Sequence, residues 1–188
     1  MISNDILYLI LSLLTFSAAL NLLLTLRLNR TVRRLAAAIP RTMLQAGETV
    51  PAVRGQPLSG RTPLTVSGDG PPAALLFLSS ACPKCRAKLP EIARLLPLAR
   101  KAGLTIHLVS MEPAWRLRRF LGTSEVSQLA VRVRRHDYLA LNPLMATPGY
   151  LFVGPSGMVE AAGLIGDDNW FSLCEQLEAE EDPGEAAA

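Results

Sequence analysis

The chain has 188 residues, a formal charge of +3, 49% apolar residues and three cysteines. Three cysteines exclude a disulfide-scaffolded mini-protein, and a positive charge carried by arginines clustered beside an apolar segment speaks for a membrane flank and against nucleic acid. With about the first forty residues reading as non-globular, the remainder holds one domain of roughly 130 residues around one core.

Residues Ile6 to Leu26 carry no charge and number roughly 21, enough to cross a bilayer. Ser12, Thr15, Ser17, Asn21 and Thr25 are their only small polar members. The preceding Met1 to Asp5 holds no Lys or Arg, which favours an uncleaved anchor over a signal peptide. Arg27, Arg30, Arg33, Arg34 and Arg41 follow the helix, and the positive-inside rule places that side in the cytoplasm. Residues 1–34 are therefore assigned to the anchor and its basic flank. Residues 35–72, rich in Pro, Gly, Ser and Thr, read as a linker grading into a β extension, with Val50 to Val53 and Leu64 to Val66 paired as a hairpin.

The domain proper is expected over 73–178. Ala73 to Leu78 is an unalternated apolar run, as in a central strand covered on both faces. A loop then leads to Cys82-Pro83-Lys84-Cys85 and a helix with Leu89, Ile92, Leu95, Leu96 and Ala99 on one stripe, kinked at Pro90 and losing its regularity at Pro97. Leu104 to Ser110 is a second buried strand, and strand, helix, strand implies parallel pairing with a right-handed crossover. Helical stretches follow at Pro113 to Leu121 and Ser124 to Leu129, whereas Val131 to Met145 shows no decisive period. Gly154-Pro155-Ser156-Gly157 turns between strands Tyr150 to Val153 and Met158 to Ala162. A last helix, Asp168 to Glu178, has Trp170, Phe171, Leu173, Cys174 and Leu177 as apolar members, and the acidic tail 179–188 reads as disordered.

The chemistry gathers at Cys82 and Cys85. A cysteine at a helix start meets unpaired backbone amides and the positive end of the helix dipole, both of which favour thiolate, and Lys84 adds a positive charge. Cys82 is thus the attacking sulfur and Cys85, one turn further in, its resolving partner. Pro83 supplies a helical φ where an amide hydrogen has no intrahelical use. The same spacing serves zinc, but only Cys174, His107 and His136 remain to complete a ligand set, so a dithiol redox site is favoured over a metal site or an inert disulfide. His136 beside Asp137 is the candidate third ligand of a non-catalytic metal chaperone, with a solvated surface pair as its ordinary reading. His107 reads as a strand histidine and Cys174 as a buried inert thiol. The clusters Arg116, Arg118, Arg119 and Arg132, Arg134, Arg135 read first as solvated faces, second as docking sites for an acidic client. Trp115 and Trp170 read as packing residues.

The element order resembles the thioredoxin-like (TlpA/redoxin-type) family, an α/β thioredoxin-like fold here preceded by a single transmembrane helix. Pro90 stands five residues after Cys85, where that family carries a helix-kinking proline, and Ala146-Thr147-Pro148-Gly149 precedes the first hairpin strand, where it places a cis-proline loop. Phe77 to Cys85 followed by Leu89-Pro90, with the anchor, is similar to the MauD family of methylamine-utilisation proteins. The resemblance implies a thiol–disulfide oxidoreductase with no cofactor beyond a Cys82–Cys85 disulfide and no metal, in which Pro83, Lys84, Thr147 and Pro148 meet the substrate. The implied partners are a disulfide-containing client, a subunit of an amine dehydrogenase, and a polytopic membrane thiol carrier that recycles the site. It also implies an inner-membrane protein with a periplasmic redox domain, against the arginine bias, and relatives of this architecture include reductases for cytochrome c maturation. The chain departs from thioredoxin in having Ala81 before the first cysteine and no acidic residue in Ala73 to Leu78.

Overall fold

The computed structural model describes residues 2–38, 43–60, 62–66 and 70–179, and the chain divides into two units, Met1–Pro40 and Arg41–Ala188. The first is a single helix, α1 (Ile2–Ala38), in which Tyr8–Leu28 is long and apolar enough to cross a membrane. This span sits two residues later than the expected Ile6 to Leu26. The hydroxyls of Ser12, Thr15 and Thr25 donate back to carbonyls of the preceding turn, those of Leu9, Ser12 and Asn21, which satisfies them without water. The helix also continues through Leu35–Ala38, where a linker was expected, because a run of Arg, Leu and Ala with no Gly or Pro before Pro40 has nothing to stop it.

The second unit is built on a seven-stranded sheet of order β2-β1-β5-β4-β3-β6-β7. Its strands are β1 (Val53–Pro57), β2 (Leu64–Val66), β3 (Ala73–Phe77), β4 (Thr105–Ser110), β5 (Ala130–Arg132), β6 (Gly149–Val153) and β7 (Val159–Leu164). Its helices are α2 (Pro83–Lys101), α3 (Ala114–Leu121), α4 (Arg135–Leu141) and α5 (Asp168–Ala179), with a 3-10 turn at Glu125–Leu129. Strand β3 lies inside, parallel to β4 and antiparallel to β6. Its alternate residues feed two cores. Ala74 and Leu76, with Leu78 beyond, pack with α2, α3 and α5, while Ala73, Leu75 and Phe77 pack with Val53, Val109, Tyr138 and Leu141. Both faces being covered explains why the strand reads as a continuous apolar run.

Helix α2 buries Cys85, Ile92, Leu95, Leu96, Leu98 and Ala99, with Leu89 only half-buried. It runs unbroken past Pro97, contrary to the expectation that its regular part would end there. Pro90 and Pro97 both lie on the exposed side, where the carbonyl left without an intrahelical donor can turn to water. The hairpin of β1 and β2 forms, but its first strand starts at Val53, in register with Val66, and Val50 is buried ahead of it. The undecided segment holds β5 and α4, whose 3 and 7 residues are too short to display a period. Phe171, expected on the apolar side of α5, is 52% exposed. The tail from Glu180 lies outside the described residues.

Candidate active site around Cys82

Cys82 is the N-cap of α2: its backbone is extended, with φ −97 and ψ 112, and its Sγ accepts a hydrogen bond from the Cys85 amide at 3.2 Å. The sulfur thus takes the place of the oxygen that usually caps a helix. Pro83 opens the helix as expected. Cys85 is fully buried one turn on, Cys82 is half-buried, and both are free thiols. Thr147 and Pro148 are joined by a cis peptide bond, and the Cys82 thiol faces the Thr147 carbonyl oxygen at 3.7 Å. A Cβ on Gly149 would stand 2.8 Å from the Ala146 carbonyl oxygen, so only glycine lets the chain leave this loop directly into β6.

The two thiols are driven apart electrostatically. Burial pushes the Cys82 thiol up, but hydrogen bonds from the Cys85 thiol and amide, the Thr147 hydroxyl and the Lys84 amide outweigh it, and its pKa is lowered. Lys84 acts on this sulfur through its backbone amide, and its side chain is exposed. Burial, followed by the hydrogen bond with Cys82, pushes Cys85 up to about 11. The accessible sulfur is the one that ionises first, and the buried one stays protonated.

Two positioning residues escaped the sequence reading. Glu112, in the turn after β4, accepts from the Ser79 hydroxyl at 3.0 Å and from the Ser80 amide and hydroxyl, bracing the loop that delivers Cys82. Asn142, fully buried at the end of α4, donates to the Ala146 carbonyl at 2.9 Å and accepts from the Ala146 amide at 3.0 Å. It closes a turn in which Met145 takes a left-handed φ of 52, immediately ahead of Thr147. The signals available were slight: a Glu just past a buried strand and an Asn before Pro143.

Other candidates stay away from this site. The His136 side chain is 92% exposed and pairs with Asp137 at 3.2 Å, and among the described residues no three His, Cys, Asp or Glu side chains converge as a ligand set would. His107 is half-buried in β4, its pKa lowered by burial. Cys174 is buried on α5, where burial and then the charges of Glu91 and Glu178 push its thiol up, as an inert cysteine requires. Trp170 is core, with its indole N–H on Glu91 at 2.7 Å, whereas Trp115 is 61% exposed with the Arg116 guanidinium over its ring.

A central strand running into an N-capping CxxC, faced by a cis-proline loop, defines the thioredoxin fold, and solved structures agree. The thioredoxin domain of a thiol–disulfide oxidoreductase from Bacteroides vulgatus matches with TM-score 0.59 and 21% identity over 71% of this chain and 99% of its own. A thiol:disulfide interchange protein DsbE from Chlorobium tepidum matches with TM-score 0.59 and 16% identity over 73% of this chain and 97% of its own. A peroxiredoxin-like protein from Aquifex aeolicus matches with TM-score 0.59 and 13% identity over 74% of this chain and 90% of its own. No protein-family model and no curated protein matches the sequence. The chain therefore has a mixed α/β thioredoxin fold behind an apolar N-terminal helix, a fold shared by thiol–disulfide oxidoreductases and peroxiredoxin-like proteins.

Proposed function

We propose that the chain is a membrane-anchored thiol–disulfide oxidoreductase working through Cys82 and Cys85. The observation that carries this reading is the Cys82 sulfur itself, capping α2 with a lowered pKa, beside the Thr147 carbonyl and above a buried, high-pKa Cys85. In the reducing direction the Cys82 thiolate attacks one sulfur of a client disulfide, forming a mixed disulfide and releasing the first client thiolate. Cys85 then loses its proton and attacks the Cys82 sulfur. The Cys82–Cys85 disulfide forms, the second client thiolate leaves, and two electrons have passed to the client. Oxidation of a client dithiol is the same path reversed. Half-buried Thr147, with Pro83 and Lys84 exposed across from it and Pro148 buried beneath, is where an extended client segment would lie by strand addition.

The anchor is α1, and the redox domain faces the periplasm, where disulfides persist. The resemblance to the MauD family supports a client among the disulfide-bearing subunits of an amine dehydrogenase, with a polytopic membrane thiol carrier restoring the dithiol. Full-length protein in detergent micelles should turn over a model disulfide, and Cys82→Ser should not. Wild-type turnover by that variant removes the assignment.

A further inference from the structure

We infer that an arginine-lined groove beside the dithiol docks an acidic segment of the client protein, an inference that takes its client from the function proposed above. Strands β3, β4 and β5 run parallel, so their C-terminal ends share one edge of the sheet. Cys82 follows β3, Met111 and Glu112 follow β4, and Arg132 to Arg135 close β5 and open α4. At that edge lies a groove of about 930 Å³ lined by Arg54 of β1 and by Arg132, Arg134 and Arg135. Among the described residues the one carboxylate that lines it, Asp137, already faces His136.

None of the four arginines enters an ion pair among the described residues. Arg54, Arg134 and Arg135 are exposed, and half-buried Arg132 is held by its Nε, which donates to the Glu112 carbonyl at 3.1 Å. Unneutralised guanidinium groups crowded into a concave wall concentrate positive potential, and their forked donors match carboxylates. Met111 lines both this groove and a cavity of about 170 Å³ bounded by Ser79, Glu112 and Thr147, and the Thr147 carbonyl oxygen faces the Cys82 thiol at 3.7 Å. Among the described residues no aromatic side chain lines the groove to stack a base, which favours a polypeptide over a nucleic acid strand.

The test is fluorescence anisotropy with full-length protein in micelles and short labelled peptides that contain no cysteine, one rich in Asp and Glu and one with Gln and Asn in their place. The acidic peptide should bind more tightly. Its binding should weaken at least about tenfold in Arg134→Glu/Arg135→Glu and on raising salt, and survive in Arg116→Glu/Arg119→Glu, which makes the same charge change on α3. Should circular dichroism show the double variant misfolded, Arg54→Glu replaces it with the same expectation. Equal binding of both peptides, or unchanged binding in the groove variants, overturns the inference. So does a single-stranded oligonucleotide that binds more tightly than the peptide through the same arginines. Because the peptides carry no sulfur, the two readings separate: disulfide turnover without charge-dependent binding removes the groove alone, and binding without turnover removes the activity alone.

Discussion

Glu112, in the turn after β4, accepts hydrogen bonds from both the amide and the hydroxyl of Ser80, in the turn after β3. Two neighbouring parallel strands are thereby tied together at the point where the chain presents Cys82. Glu112→Ala leaves the Ser79 and Ser80 donors without their partner, which should cost about 1–3 kcal/mol of stability. Urea unfolding of the full chain should show a lower midpoint with an unchanged slope, and disulfide exchange should slow. Glu112→Gln keeps one acceptor oxygen and should lose less; equal losses in the two variants would contradict this role.

Asn142→Ala should destabilise the loop ahead of Thr147 in a similar way. Both polar groups of Ala146 lose a side-chain partner, at about 1–3 kcal/mol if they stay dry. Hydrogen exchange at Ala146 and Thr147 is the measurement, and protection equal to wild type would show that Asn142 does not hold the loop.

The pH dependence follows from the opposite shifts of the two thiols. Alkylation of Cys82 should reach half its plateau rate below the ordinary cysteine value of 9.0, with Cys85 resisting until about 11. For stability the sign is set by Cys85. Its raised pKa means the folded state keeps a proton that the unfolded chain releases first, so the contribution is whole below about 9 and lost as pH climbs to about 11. Cys82, lowered, adds stability above its unfolded value that disappears as pH falls through its folded one. Mass spectrometry of the alkylated thiols reads the order directly, and Cys85 reacting first would reverse the assignment of roles.

Much of this was legible in the residues. The unalternated run Ala73 to Leu78 and the cysteines at the start of a helical stripe located the central strand and the capping sulfur as local patterns, whereas the facing Thr147-Pro148 loop was placed by the family resemblance. What stayed hidden depends on contacts across many residues. Glu112 reaches Ser80 over 32 positions, and nothing near it in sequence announces that reach. Asn142 carries its meaning only once Met145 has turned left-handed and brought Ala146 back. Three-residue β5 is recruited by its parallel neighbour β4, since a strand that short has no period of its own.

The proposed periplasmic orientation sets the positive-inside bias of the arginines after the apolar helix against the need that a disulfide-bearing client, as proposed, would have for an oxidising compartment. The bias is weaker for a long translocated domain than for a short loop. A reporter enzyme active only outside the cytoplasm, fused after Leu177, should be active; silence there, with a cytoplasmic reporter active at the same position, would place the dithiol in the cytosol.

The division of labour between the two cysteines is tested most directly by trapping. Cys85→Ser protein, reduced and mixed with a disulfide-bearing client peptide, should accumulate a covalent adduct through Cys82, because attack remains and resolution is lost. Mass spectrometry should find one peptide per chain, released by reductant, with Cys82→Ser giving none. An adduct that forms through Cys85 in the Cys82→Ser protein, or none in the Cys85→Ser protein, would contradict the account.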